Sequence, residues 1–206
     1  MIFATLPTGP LEVNCYIIGC EKTMKAAVID PGGNADRILQ RLSALKLQTV
    51  MIINTHGHFD HIGGNGDLLK ATGAELIIHR DDSILLERAG EHAAAFGLRA
   101  EPSPAPTRLL NGDETLQLGE LTLQVIHTPG HSPGGVCLYV DDYLFVGDTL
   151  FAGSIGRTDL PGGHHQLLIA GIKEKLLPLP ENTKVYPGHG PMTTIGEEKL
   201  HNPFLS

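Results

Sequence analysis

Cysteine, basic clusters and long apolar runs are all scarce in this chain, and each scarcity removes a class of function. Its 206 residues include three cysteines, Cys15, Cys20 and Cys137, an odd number with no CxxC pair. Neither a disulfide framework nor a thiolate metal or redox motif is therefore expected. Cys15 and Cys137 lie in the apolar runs NCYIIGC and VCLYV, where they read as small core side chains with no catalytic role. Lysine and arginine number 15 against 23 acidic residues, giving a net charge of −8. Without a Lys/Arg run there is no track for a polyanion, so nucleic acid is not an expected partner. No stretch reaches the roughly eighteen consecutive apolar residues of a membrane span. The opening MIFATLPTGPLEV also lacks a basic segment followed by an apolar one. A soluble, cytoplasmic protein without a membrane partner is expected, folded as one domain over residues 1–206 with a substantial core.

What the chain does have is histidine placed beside carboxylates. THGHFDH, Thr55 to His61, puts His56, His58, Asp60 and His61 within six residues. It follows the β-branched run TVMII, so these side chains sit at a strand's carboxyl end. In a non-helical segment alternate residues point different ways, so His56 and His58 can approach one metal while Asp60 and His61 turn toward another. Three further patches add His131 in TPGHSPG, Asp148 in FVGDT and His189 in YPGHG. Five imidazoles, two carboxylates and no thiolate favour zinc, iron or manganese at a two-metal hydrolytic site over structural zinc.

Along the chain, short strands alternate with helices. Asn14 to Gly19 and Lys25 to Asp30 read as paired strands closed by Pro31, Gly32 and Gly33. Asn34 is positioned to cap a helix carrying Ile38, Leu39, Leu42 and Leu45. Helices are expected over 67–72, 81–89 and 166–177, and strands over 49–53, 74–79, 115–118, 121–126, 136–140, 143–146 and 184–186. A hairpin turn falls at Asp141 and Asp142, and three prolines stiffen the loop over 100–108. Strands with helices outside two sheets predict an α/β fold, a four-layer αββα sandwich whose strand-end loops meet along one edge. Rigid strands ending in loops can bring together residues as distant in sequence as 56 and 189.

THGHFDH, TPGHSPG, GDTLF and YPGHG resemble the successive metal motifs of the metallo-β-lactamase superfamily, over almost the whole chain. IDPGG, LFAGSIGRTDLPGG and the ending GHGPMTTIGEEKLHNPF further resemble the short bacterial glyoxalase II-like, or hydroxyacylglutathione, hydrolases. The resemblance implies that His56, His58 and His131 hold one divalent ion, that Asp60, His61 and His189 hold a second, and that Asp148 bridges them. Zinc is the expected metal, with iron or manganese as alternatives. A metal-bound hydroxide would be the nucleophile, since a bound ion can bring water's pKa from about 15.7 toward 7. Two dications, two aspartates and a hydroxide leave a local charge of about +1, which suits an anionic acyl thioester. The implied reaction cleaves S-lactoylglutathione or a related 2-hydroxyacyl thioester to a carboxylate and a free thiol.

Three other residues are candidates for supporting roles. Asp30 is placed either to orient a ligand or to cap the turn that follows it. Arg157 and Asp159 in GRTD either contact substrate or form a surface ion pair. His79, His92, His127, His164, His165 and His201 are expected to be surface or packing histidines, with His92 as a neutral control. The resemblance is to the short hydrolases, so the C-terminal helical region that supplies much of the glutathione surface in larger glyoxalase II enzymes is not expected within these residues. A rival from another reaction class, the persulfide dioxygenases, would use His56, His131 and Asp148 on a single Fe(II). A non-catalytic metal-binding module and β-lactam hydrolysis are minor alternatives.

Overall fold

Alternation along the central strands decides the architecture, because most of them carry apolar side chains for both faces. The computed structural model describes residues 1–205. In its first sheet β1 (Ile2–Thr8), β2 (Val13–Gly19), β3 (Lys25–Ile29), β4 (Gln48–Ile53), β5 (Glu75–His79) and β6 (Arg108–Leu110) lie side by side in that order. β1, β2 and β3 pair antiparallel, and β3 through β6 continue in parallel. The second sheet begins with the antiparallel β7 (Glu114–Leu118), β8 (Leu121–His127), β9 (Val136–Val140) and β10 (Tyr143–Gly147). A small hairpin follows, β11 (Leu150–Phe151) with β12 (Ser154–Ile155). β13 (Lys184–Pro187) then joins β10 in parallel, and β14 (Thr193–Thr194) closes that edge.

Helices cover both outer faces. On the first sheet lie α1 (Ala35–Ala44), α2 (Phe59–Ile62), α3 (Asn65–Thr72), α4 (Ser83–Glu87) and α5 (Ala89–Ala95). The second carries α6 (His165–Gly171), which continues as a π-helical turn over Ile172–Leu176, and α7 (Ile195–His201). Three cores result. Cys15, Ile17, Val28, Ile52 and Leu76 face outward against Ile38, Leu42 and Leu68. Their neighbours Tyr16, Ile18, Ile29, Ile53 and Ile77 face inward and meet Leu116, Leu123, Leu138 and Phe145 of the second sheet. On that sheet's far side Cys137, Leu144 and Val146 pack with Leu168, Ile172 and Leu176. Each fully buried Leu, Ile or Phe contributes about 1.5–3 kcal/mol. The order helix, sheet, sheet, helix is the four-layer sandwich expected from the sequence.

Several details differ from expectation. β1 and α7 were not anticipated, and the helix expected over 81–89 is two helices, α4 and α5, that follow a 3-10 turn at Arg80–Asp82. Leu86, Ala89 and Ala93 are buried at helical spacing, and that stripe runs past Ala89 and carries the second helix. Asn34 stands at the start of α1, but in a left-handed conformation (φ 51°) without capping it. Its Oδ1 accepts instead from the Gly9 N–H at 2.9 Å. All three cysteines are free and buried. Among the described residues no helix is long and apolar enough to cross a membrane.

Glu198, 1 % exposed, fastens the C-terminal helix to the second sheet. Its carboxylate accepts from Thr193 Oγ1 (2.6 Å), Asn202 Nδ2 (2.7 Å) and the Gly153 N–H (2.9 Å). Glu198→Ala strands three donors and should lower unfolding free energy by about 3 kcal/mol. The exposed neighbour Glu197→Ala should change it by about 0.5 kcal/mol or less. Urea denaturation checks both, and equal effects would reject the anchoring role.

Candidate metal centre

Every candidate ligand lies where a strand ends on the same edge of the sandwich. β4 runs into Asn54 and the segment 55–61, β8 into Thr128–His131, β10 into Asp148 and β13 into Gly188 and His189. The two sheets are stitched together at this edge. The Asn14 N–H donates to Gly188 O at 2.7 Å, its side-chain amide to Pro187 O and Gly190 O, and the Tyr16 hydroxyl to Pro187 O at 2.6 Å. β2 of the first sheet thereby positions the loop that carries His189. A Cβ at Gly188 would strike the Asp148 carboxylate and come 2.6 Å from His61 Cε1, so only glycine leaves room there.

The seven side chains converge. The His56 ring lies 4.7 Å from that of His58, 4.0 Å from His61 and 4.8 Å from His131. His61 Nε2 is 3.5 Å from Asp148 Oδ1 and 3.7 Å from Asp60 Oδ2. His131 Nε2 is 3.6 Å from Asp148 Oδ2, and His189 Nε2 is 3.2 Å from Asp60 Oδ2. Among these seven side chains there are three compact ligand groups: His56 with His58 and His131, Asp60 with His61 and His189, and His56 with His61 and Asp148. Two clusters with Asp148 between them could hold a pair of metal ions.

Contacts on the far side of three rings, hydrogen bonds for His131 and His56 and an ion-pair approach for His61, decide which nitrogen faces inward. His131 Nδ1 lies 2.8 Å from Arg157 O, and a carbonyl only accepts, so Nδ1 carries the proton. Thr55 Oγ1 donates to Asp30 Oδ2 at 2.7 Å, which leaves it to accept from His56 Nδ1 at 3.1 Å. His61 Nδ1 faces Asp30 Oδ2 at 3.1 Å. The inward Nε2 atoms of His56, His61 and His131, with Asp148 Oδ1, are buried and have no hydrogen-bond partner. Orphaned buried acceptors of this kind are costly unless a cation satisfies them, and metal-bound histidines hold their other N–H in this manner.

Electrostatics point the same way. Burial, reinforced by His61 and His58, holds His56 well below the usual imidazole range, and burial with His131 and His92 does the same for His58. Burial also opposes charge on His61, but Asp148, Asp60 and Asp30 outweigh it and hold a proton on that ring in the metal-free chain, a proton that a bound metal ion would displace. Asp148 stays ionised against burial because His61, His131 and His189 surround it. Neutral imidazoles with ionised carboxylates are the protonation states that metal ions bind.

Asp30 takes the orienting position rather than capping the turn after it. It leaves β3 in a left-handed conformation (φ 49°), and its Oδ1 accepts the Thr55 N–H at 2.7 Å. Arg157 and Asp159 form a two-pronged ion pair, both contacts 2.7 Å, with exposed side chains. Arg157 also lines the cavity of about 150 Å³ above the metal cluster. His92, expected to be inert, is part of that cavity's wall, with its ring 4.5 Å from His58 and 5.2 Å from Phe59. His79 and His127 stack at 4.1 Å, and His164 accepts from the Leu167 N–H at the start of α6.

The residue that sequence reasoning missed is Asp82, which is fully buried. Its Oδ2 accepts from the Gly57 N–H (2.9 Å) and Ser132 Oγ (2.7 Å), and its Oδ1 from the Gly134 N–H (2.6 Å). One carboxylate thus ties the loop of His56 and His58 to the loop of His131. Nothing in RDDSILL distinguishes Asp82 from its exposed neighbour Asp81, because the partners lie 25 to 52 positions away.

The Metallo-beta-lactamase superfamily profile matches residues 8–189 of this chain. A hydroxyacylglutathione hydrolase, GloC, of Haemophilus influenzae is 40 % identical over 98 % of this chain and 96 % of its own. Among solved structures, BLEG-1, described as a B3 metallo-beta-lactamase, superposes with a TM-score of 0.93 at 40 % identity. TTHA1623, solved in a di-iron-bound form, gives 0.89, also at 40 % identity. Both similarities cover 100 % of each chain.

Asp82→Ala should leave the fold recognisable by circular dichroism yet weaken metal retention against a competing chelator by about 10–100-fold. Asp82→Asn, which keeps one acceptor, should fall between. A folded Asp82→Ala protein that resists chelation like the unaltered one would refute the positioning role.

Proposed function

Because this chain belongs to the metallo-β-lactamase superfamily, we propose that it is a two-metal thioester hydrolase of the glyoxalase II type. On this reading it acts as a single domain in the cytoplasm, where its three free thiols stay reduced. The substrate would be S-lactoylglutathione or a related 2-hydroxyacyl thioester, and the products a carboxylate and a free thiol. The observation that carries this is the division of the ligands into two compact groups with Asp148 between them. The name of the Haemophilus influenzae relative supports the choice of thioester.

His56, His58 and His131 would hold one ion, Asp60, His61 and His189 the other, with Asp148 shared. When bound, two divalent ions supply a water acidic enough to react near neutral pH and polarise the carbonyl under attack. The chain's own part is to hold these ligands rigidly, through Asp30, Thr55 and Asp82, so that little rearrangement is needed during reaction. Leu11, Phe59 and Leu160 give the cavity apolar walls that limit water around the thioester. His189, with a side chain 32 % exposed, marks the side open to solvent. Arg157, half exposed above the cavity, would meet a carboxylate of an anionic carrier once it shifts from Asp159. We take zinc as the metal, and iron is its competitor given the di-iron form of TTHA1623.

The test is thiol release from S-lactoylglutathione under anaerobic conditions by metal-analysed protein. Chelator-sensitive release with about two ions per chain is expected. Absence of release, with one iron per chain and oxygen uptake on glutathione persulfide, would replace this reading with the dioxygenase. The similarity to BLEG-1 makes a chromogenic cephalosporin the second substrate to assay, and turnover of it alone would favour β-lactam hydrolysis. Asp148→Ala should lose metal and activity together, whereas Arg157→Ala should raise KM several-fold with kcat little changed. Undiminished turnover in Asp148→Ala would reject its bridging role. His201→Ala, at an exposed position on α7 and not among the candidate ligands, replaces His92→Ala as the neutral control.

A further inference from the structure

Beside the metal cluster lies a second cavity of about 270 Å³, close to the lower end of small-molecule pockets at about 300 Å³. Leu85, Ala95, Phe96, Leu160 and Pro161 make its walls predominantly apolar. The charged side chains among its lining, Arg88 and Glu91, are of opposite sign and both exposed. It is continuous in its lining with the cavity above the metals, since His58, His92, Phe96 and Leu160 border both. The two spaces therefore meet at a proposed metal ligand, where the carbonyl of a bound thioester would lie.

Of the two halves of the substrate, only one suits this space. Glutathione carries two carboxylates and an ammonium, and in this space only the exposed Arg88 and Glu91 could meet them, leaving a carboxylate to be desolvated against apolar walls without a partner. The acyl half can be apolar beyond its hydroxyl. A lactoyl methyl would occupy a small part of the volume, at about 30 Å³ per water-sized unit, and leave the rest to water. Each additional methylene buried against such walls is worth about fourfold in binding. Phe96 provides an aromatic surface next to this space, backed by Phe59 at 5.6 Å and His92 at 5.4 Å. Offset or tilted ring packing there would favour an aromatic group over a small aliphatic one.

We propose that this cavity is an acyl pocket, and that the chain prefers 2-hydroxyacyl thioesters ending in an aromatic or branched apolar group over lactoyl thioesters. The proposal rests on the thioester-hydrolase reading above and adds its substrate class. In either reaction water supplies the new carbon–oxygen bond, the acyl carbon–sulfur bond breaks, and the carrier leaves as a thiol. Ala95, exposed on α5, is the point at which the pocket can be filled without disturbing a core.

The experiment compares S-mandeloylglutathione with S-lactoylglutathione on the metal-loaded enzyme, two thioesters with the same carrier and the same 2-hydroxyl. kcat/KM should favour mandeloyl by about tenfold or more, and Ala95→Trp should bring that ratio close to one. Calorimetry of the products gives an independent reading: mandelate should bind the unaltered enzyme about tenfold more tightly than lactate, a difference Ala95→Trp removes. A ratio near or below one in the unaltered enzyme, or one that Ala95→Trp leaves unchanged, overturns the pocket. If neither thioester is cleaved, the hydrolase reading falls first. Equal affinities for mandelate and lactate would then overturn the pocket as well.

Discussion

A carboxylate taken out of water must be given donors, and Asp30 and Asp82 meet that requirement with backbone from the metal loops. Asp30 takes its two donors from Thr55, at the start of the first metal segment, and backs His61. Asp82 takes three donors from two loops. A hydrogen bond to a charged group is worth about 1.5–3 kcal/mol, so the loops are held by two side chains whose donors would be lost if they moved. The sheets bring strand ends to one edge, and these two carboxylates convert that approximate convergence into a defined arrangement of imidazoles.

The arrangement runs against the stability of the apo chain. Inward nitrogens on His56, His61 and His131 sit buried without partners, each at a cost of about 1–3 kcal/mol. Three cores of interleaved aliphatic side chains support that cost at one end of the sandwich. Anything that binds those nitrogens in the folded chain and not in the unfolded one adds to stability. Ligand binding and folding are therefore coupled at this edge, and the same groups that weaken the apo fold give the site its affinity.

The proposed ligands were legible because each stands in a short motif whose composition has few structural explanations, and because a strand precedes it. The layered sandwich followed from strands alternating with helices, and TVMII and VCLYV do carry apolar side chains on both faces in the structure. Asp82 and the acyl cavity were not legible for a common reason. Both depend on α4 and α5, where a single expected helix proved to be two, and on partners that only the fold brings near. An aspartate in a helix-starting segment looks like a cap until the loop it serves is in place. His92 was discounted by the same limitation, since its neighbour His58 is 34 positions away but one ring-contact distant.

The two sides of the site differ in how firmly they are made. On the metal side, ligands extend from strand ends hydrogen-bonded into two sheets, with their supporting groups buried. On the other side, α4 and α5 are helices of five and seven residues that leave Ile84 and Phe96 exposed at 45 % and 41 %. Helices this short have little stability of their own and depend on the side chains they bury. Replacing exposed Ala95 therefore alters the shape presented to substrate at small cost to the fold, whereas any change at Asp30, Thr55 or Asp82 disturbs the proposed ligands themselves. On the proposed function, the chemistry would be carried by the rigid edge and selection among substrates would fall to the adjustable wall opposite it.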